Sequence, residues 1–192
     1  MTETPLPVQA LIVVDVQKDG VTGAGAVPAA DVLLDRTAGL LARARRAGAV
    51  VVHLQNDGAP GAGDEPATPG WALHLPVVAG LRESVIRKTR DDGFAGTSLG
   101  AVLTDAGVEA LAVCGVMSEM CVQATARTAL ELGYRVVLPY DAHATHDVPA
   151  APGISGAVPA AVVSRAAAWA ISADADVTTP ASAVRFAAPP GA

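Results

Sequence analysis

Cys121 stands in the segment C-G-V-M-S-E-M-C-V-Q-A-T-A at residues 114–126, where an apolar run breaks at Gly115 and a helix resumes near Ser118. A buried strand feeding a helix through a tight turn leaves unpaired N–H groups and the positive helix end close to Cys121. Such surroundings favour a thiolate and lower a cysteine's pKa. Most lone buried cysteines are small core side chains, but this position and its flanking glycine suit a nucleophile. Cys114, inside the preceding apolar run, reads as core. Two further residues share the placement of Cys121, each closing an apolar run: Asp15 after V-Q-A-L-I-V-V, and Lys88 at the end of S-V-I-R-K.

The elements that would position these three can be read from pattern. Residues 8–16, 49–54, 84–88, 110–114 and 135–140 are short apolar runs of the kind found in parallel sheets covered on both faces. Residues 176–178 suggest a short last strand, giving about six. Between them lie helical stretches: one to residue 47 with Asp31 as a cap and Gly48 as its stop, then residues 97–106 closed by Gly107. Two more follow, at 118–132 closed by Gly133 and at about 158–171. A Gly- and Pro-rich loop through Trp71 separates the second and third strands, and loops of that length are often functional. The alternation predicts a doubly wound, mostly parallel α/β sheet with helices on both faces. Ligands in such sheets sit beyond the carboxyl ends of the strands, the edge shared by Asp15, Lys88 and Cys121.

The chain has 192 residues, so one domain over residues 1–186 is expected, with residues 187–192 as a disordered tail. Although 51% of residues are hydrophobic, no apolar run is long enough to span a membrane, and the N-terminus lacks a secretory pattern. Two cysteines outside any C-x-x-C motif suit a reduced, cytoplasmic setting. A net charge of −6 with no basic cluster argues against nucleic acid as a partner.

With these residues placed, the chain resembles the cysteine hydrolases of the isochorismatase-like superfamily, which carry a Rossmann-like fold. The resemblance runs through D-V-Q at 15–17, R-K at 87–88, D-G-F-A-G-T-S-L at 92–99, the segment 114–129 and G-Y-R-V-V-L-P-Y-D-A at 133–142. It implies a triad in which Asp15 takes the thiol proton, Lys88 stabilises the thiolate, and Cys121 attacks a carbonyl carbon. It also implies a cis peptide between Val116 and Met117, with the N–H groups of Met117 and Cys121 forming the oxyanion hole. Thioester formation, amine release and hydrolysis would follow.

Superfamily members that cleave the vinyl ether of isochorismate lack the cysteine, so its presence favours amide chemistry. The metal-binding members carry Asp-x-His with a further histidine after the second strand. Here that region reads H-L-Q-N-D-G-A-P-G-A-G-D from His53, without the spacing, and H-x-x-H at His143 and His146 is a weak signal. No metal and no cofactor are expected. The segments from Ser118 and from Asp141 most resemble members that open the lactam of a cationic antibiotic. The alternatives are a small acyclic carboxamide or carbamoyl substrate, or a non-catalytic binding protein that keeps the fold. Expected substrate contacts are Gln17, Asn56, Asp57, Trp71, Phe94 and Glu119; with Asp64 and Glu65 the acids among them would form a rim attracting a cation. The resemblance also implies a homo-oligomer of two or more subunits.

Overall fold

The computed structural model describes residues 6–78, 80 and 82–190. Strand β1 (Ala10–Val14) is buried along its whole length, as is β4 (Ala110–Val116), and the two pair in parallel. Their apolar residues serve both faces. Leu11 and Val13 pack with Leu33, Leu40 and Leu41 of α2 (Ala30–Ala47), whereas Ile12 and Val14 pack with Leu99 and Leu103 of α3 (Leu99–Asp105) and Ala126 and Ala129 of α4 (Gln123–Glu131). Alternation along a strand divides its side chains between the faces, so a continuous apolar run means cover on both.

On one side of β1 lie β2 (Val50–Asn56) and then β3 (Glu83–Lys88); on the other lie β4 and β5 (Arg135–Val137), giving the order β3-β2-β1-β4-β5. All pairings are parallel. The doubly wound sheet expected from the alternation is therefore present. The order reverses between β1 and β4, and the crevice opens at their carboxyl ends. Gly115 makes the closeness possible: its φ is 124°, and a Cβ there would collide with the backbone of Val14. The short helix α1 (Lys18–Val21) follows β1 directly, and α5 (Ala160–Trp169) packs against the turn after β4. No helix among the described residues is long and apolar enough to cross a membrane.

The sixth strand differs from expectation. Residues 176–178 contribute only an isolated bridge between Asp176 and Val137, and β6 (His143–Ala144) instead forms within the supposed loop, on the free edge of β4. The run expected at 135–140 ends at Val137 because Leu138 N–H turns to Asp176 O (2.8 Å) and Pro139 has no N–H to donate. The helix expected over 118–132 is also divided: residues Ser118–Val122 form an irregular turn with Met120 at φ −110°, ψ −106°, and regular helix starts at Gln123. Asp31 lies in the first turn of α2 without a capping bond. The expected tail stays on the body through residue 190, since Ala187 N–H bonds Val8 O (3.0 Å) and Pro189 is buried. Residues 191 and 192 lie outside the described residues.

Strand β3 is fixed at its start by a buried ion network. Glu83 accepts two hydrogen bonds from Arg45 (2.6 and 2.8 Å), one from the neutral His53 ring (2.8 Å) and one from Val78 N–H (3.1 Å). Burial alone would raise the Glu83 carboxyl, but these donors outweigh it and hold the pKa at about 2. A carboxylate depressed from 4.5 contributes stability at every pH above its unfolded value, lost as pH falls from about 4.5 toward about 2. Glu83→Gln should therefore lower unfolding free energy at pH 7 by roughly 2–3 kcal/mol. The variant should also lose less on acidification than wild type. Urea melts at pH 7 and pH 3 test both; parallel acid losses in the two proteins would place the acid sensitivity elsewhere.

Candidate active site

Three strand ends bring the expected triad together. Lys88 Nζ lies 2.7 Å from Asp15 Oδ2 and 3.3 Å from Cys121 Sγ, and it donates to Arg90 O at 3.0 Å. The ammonium reaches β1 by passing over the end of β2, where Asn56 Oδ1 lies 3.5 Å away. Asp15 has a φ of 49°, in the left-handed region that non-glycine residues seldom occupy. Local strain of this kind concentrates at functional sites. Asp15 is 8% exposed and Lys88 3% exposed. The two oxygens of Asp15 differ: Oδ2 accepts from Lys88, while Oδ1 is buried with no hydrogen-bond partner.

Burial and the pairings set the protonation states. Burial raises Asp15 to about 6 against the pull of Lys88, so the carboxylate is mostly ionised at neutral pH. Burial would lower Lys88, but Asp15 and Cys121 outweigh it and the ammonium holds its proton more tightly than usual. Burial, with Asp15 beside it, pushes the Cys121 thiol up to about 12. The expectation of a lowered thiol pKa is thus corrected. The turn at Ser118–Val122 is irregular, regular helix starts only at Gln123, and burial beside the Asp15 carboxylate outweighs the pull of Lys88. At rest the three groups are carboxylate, ammonium and thiol.

A cavity of about 280 Å³ opens over them, lined by Asp15, Cys121, Val116, Met117, Met120 and Gly20, with Gln17, Asn56, Asp19, Asp64 and Asp91. The Val116–Met117 peptide is cis, as the resemblance implied. Gln17 reaches the cavity wall, but its amide is engaged: it donates to Asn56 O and Trp71 O (both 3.0 Å) and accepts from Asn56 N–H (2.8 Å). It ties β1, β2 and the long loop together beneath the cavity. Asn56 donates to Asp64 Oδ2 at 2.6 Å and holds that carboxylate at the wall.

Four expected contacts lie elsewhere. Asp57 pairs with Arg87 (2.8 Å) and accepts from Trp71 Nε1 (3.0 Å), while Arg87 lies over the Trp71 ring at 5.1 Å. Phe94 stacks on Tyr134 with ring centroids 6.3 Å apart. Glu119 accepts from Thr145 Oγ1 at 2.9 Å. Each has a partner that draws it from the cavity. Glu65 accepts from Gly61 N–H instead of joining the rim. His53, the histidine nearest the metal pattern, is enclosed with Glu83 and Arg45, and among the described residues no three His, Cys, Asp or Glu side chains cluster as a metal site.

Two of the acids that line the cavity were not expected. Asp19 packs over Gly63 and Gly70, where a Cβ on Gly63 would meet its carboxylate. Asp91 Oδ1 lies 3.7 Å from Cys121 Sγ. A signal for Asp91 existed in its place three residues past Lys88, on the same sheet edge. With Asp15 and Asp64, four carboxylates line the cavity, and the nearby ammonium of Lys88 is already shared between Asp15 and Cys121.

The isochorismatase domain model matches residues 9–152. A streptothricin hydrolase of Streptomyces noursei is 70% identical over 183 residues, covering 95% of this chain and 66% of that protein. A second streptothricin hydrolase from the same organism is 67% identical over 184 residues, covering 96% of this chain and 73% of that protein. The chain thus spans just under two thirds of the first relative's length. Among solved structures, an isochorismatase from Pseudomonas putida KT2440 superposes with a TM-score of 0.82 at 32% identity, covering 94% of this chain and 93% of that one.

Proposed function

The chain belongs to the isochorismatase family, and from that premise we propose that it is a cysteine-dependent amidohydrolase that opens the streptolidine lactam of streptothricin. The observation that carries the reading is Cys121 Sγ at 3.3 Å from Lys88 Nζ, itself 2.7 Å from Asp15, on a cavity walled by carboxylates. The high identity to two streptothricin hydrolases supports the substrate.

The chemistry follows from the protonation states. Asp15 Oδ1 is the open acceptor for the thiol proton. With the thiol near 12 and the carboxyl near 6 the transfer runs uphill before substrate arrives, so it proceeds in step with attack. The Sγ–C bond forms, the carbonyl oxygen gains the negative charge, and the N–H groups of Met117 and Cys121 are proposed to receive it. Asp15 then gives its proton to the lactam nitrogen as the C–N bond breaks, leaving a thioester and a ring-opened amine. Water attacks the thioester, Asp15 accepts a water proton, the S–C bond breaks, and the sulfur regains a proton as the carboxylic acid departs. The sum is amide plus water giving acid plus amine. Lys88 keeps its proton throughout and holds Asp15 Oδ2, so that only Oδ1 exchanges protons. The same reading takes the enzyme to be a metal-independent, cytoplasmic homo-oligomer.

Streptothricin carries amines and a guanidine-like group, which suits the acid-lined cavity. Attraction between exposed charges is screened beyond about 8 Å at physiological ionic strength. The kcat/KM for streptothricin should therefore fall roughly fivefold or more from low to high salt, while a neutral amide stays within twofold. Turnover of the neutral amide with no turnover of streptothricin would replace the lactam by a small carboxamide.

A further inference from the structure

We infer that Asp91 is a specificity-determining residue: it receives an ammonium or guanidinium group of the substrate beside the scissile carbonyl and thereby eases the reaction of Cys121. The inference rests on the amidohydrolase reading above and names the feature of the substrate that the site selects. Its basis is position. Asp91 Oδ1 is 3.7 Å from Cys121 Sγ and both residues line the cavity, so a group bonded to Asp91 is a neighbour of the carbonyl under attack.

The loop holds Asp91 there from both sides. Arg90 O accepts from Lys88 Nζ (3.0 Å), Asp92 accepts from Thr128 Oγ1 (3.0 Å) and from Phe94 N–H (2.9 Å), and Gly93 N–H bonds Thr125 Oγ1 (2.9 Å). Its own carboxylate is exposed, and among the described residues no Lys, Arg or His forms a salt bridge with it. The carboxylate is anchored through its neighbours, aimed at the sulfur and left without a cation.

The electrostatic consequence is specific. Two carboxylates, Asp15 and Asp91, flank the sulfur, and one ammonium lies against it. As attack proceeds Asp15 takes the thiol proton and becomes neutral, which leaves Asp91 as the acid that opposes negative charge growing on sulfur. A cation seated on Asp91 offsets it. It therefore acts in binding and again in the barrier, a contribution that raises kcat as well as lowering KM. A neutral amide leaves the second carboxylate uncompensated.

The test uses the full chain and a readout that needs no turnover. Cys114 is fully buried, so thiol labelling reports Cys121. Wild type should react with 2-aminoethyl methanethiosulfonate about tenfold faster, relative to the neutral methyl reagent, than Asp91→Asn does. Asp91→Glu should restore most of the preference. Asp91→Asn should also react faster than wild type with neutral iodoacetamide at pH 8, because a negative charge beside the sulfur is gone. For a cationic amide and its neutral isostere, Asp91→Asn should lower kcat/KM about tenfold for the cation, partly in kcat, and raise it for the neutral amide. Equal loss on both substrates, or a cation preference that survives in Asp91→Asn, would overturn the assignment. A preference that vanishes in Asp91→Asn, in a protein that hydrolyses neither amide, would uphold cation capture by Asp91 and sink the amidohydrolase reading.

Discussion

Cys121→Ala should reduce amide turnover by at least about 10³-fold with the fold intact. The substitution removes one sulfur from the cavity wall, and the remaining contacts tolerate it. Lys88 keeps Asp15 at 2.7 Å and Arg90 O at 3.0 Å, so its buried ammonium is not stranded. The thiol itself is an uncomfortable tenant: burial and Asp15 push it up to about 12, so nothing in the folded state depends on its ionisation. Unfolding free energy should stay within about 1 kcal/mol of wild type. Measuring lactam or amide hydrolysis beside a thermal melt separates the two effects. Substantial turnover by a folded Cys121→Ala protein would take the sulfur out of the reaction.

Asp15→Asn should cost nearly as much, about 10²- to 10⁴-fold in kcat, because an amide cannot accept the proton that leaves sulfur. Its pH dependence is the sharper signature. With Asp15 held at about 6, wild-type kcat/KM should be flat above that value and fall tenfold per pH unit below it as the base is protonated. The residual activity of Asp15→Asn should lack this acid limb. The variant also leaves Lys88 beside a neutral partner, so its melt must be recorded and assays run well below the transition. An acid limb that survives in the variant would assign the titration to another group.

The triad was legible because buried parallel strands announce themselves as apolar runs. Once the runs alternate with helices, the residues that follow them must share one sheet edge. That much placed Asp15, Lys88 and Cys121 together; their expected roles came from the family resemblance. The strands themselves were legible to within a few residues, except where a run was too short to carry a period: β6 is two residues long, and its pairing depends on Pro139 ending β5 early. Side-chain direction was the part that sequence could not carry. Glu119 and Asp57 are acids close in sequence to site residues, yet Thr145 draws the first away and Arg87 with Trp71 the second. Asp91 is placed by its neighbours, which Thr125 and Thr128 fasten to α4, a contact between distant segments that no local pattern carries. The thiol's ionisation departs from the expectation for a related reason. A helix start was visible in the sequence, but the irregular turn at Met120 and the enclosing carboxylates were not.

The strand that supplies Lys88 is an outer one, with β2 on one side and, among the described residues, no strand on the other. Its two ends have separate tasks, since Glu83 fastens the start to Arg45 and His53 while Lys88 closes the finish over Asp15 and Cys121. Peripheral strands are among the first parts of a sheet to open, at free energies below that of global unfolding. Peeling this single strand would leave Cys121 and Asp15 seated on the inner sheet but deprive both of their shared cation. On the proposed chemistry, competence is then the more perishable property, open to loss at this margin while the interior is still whole.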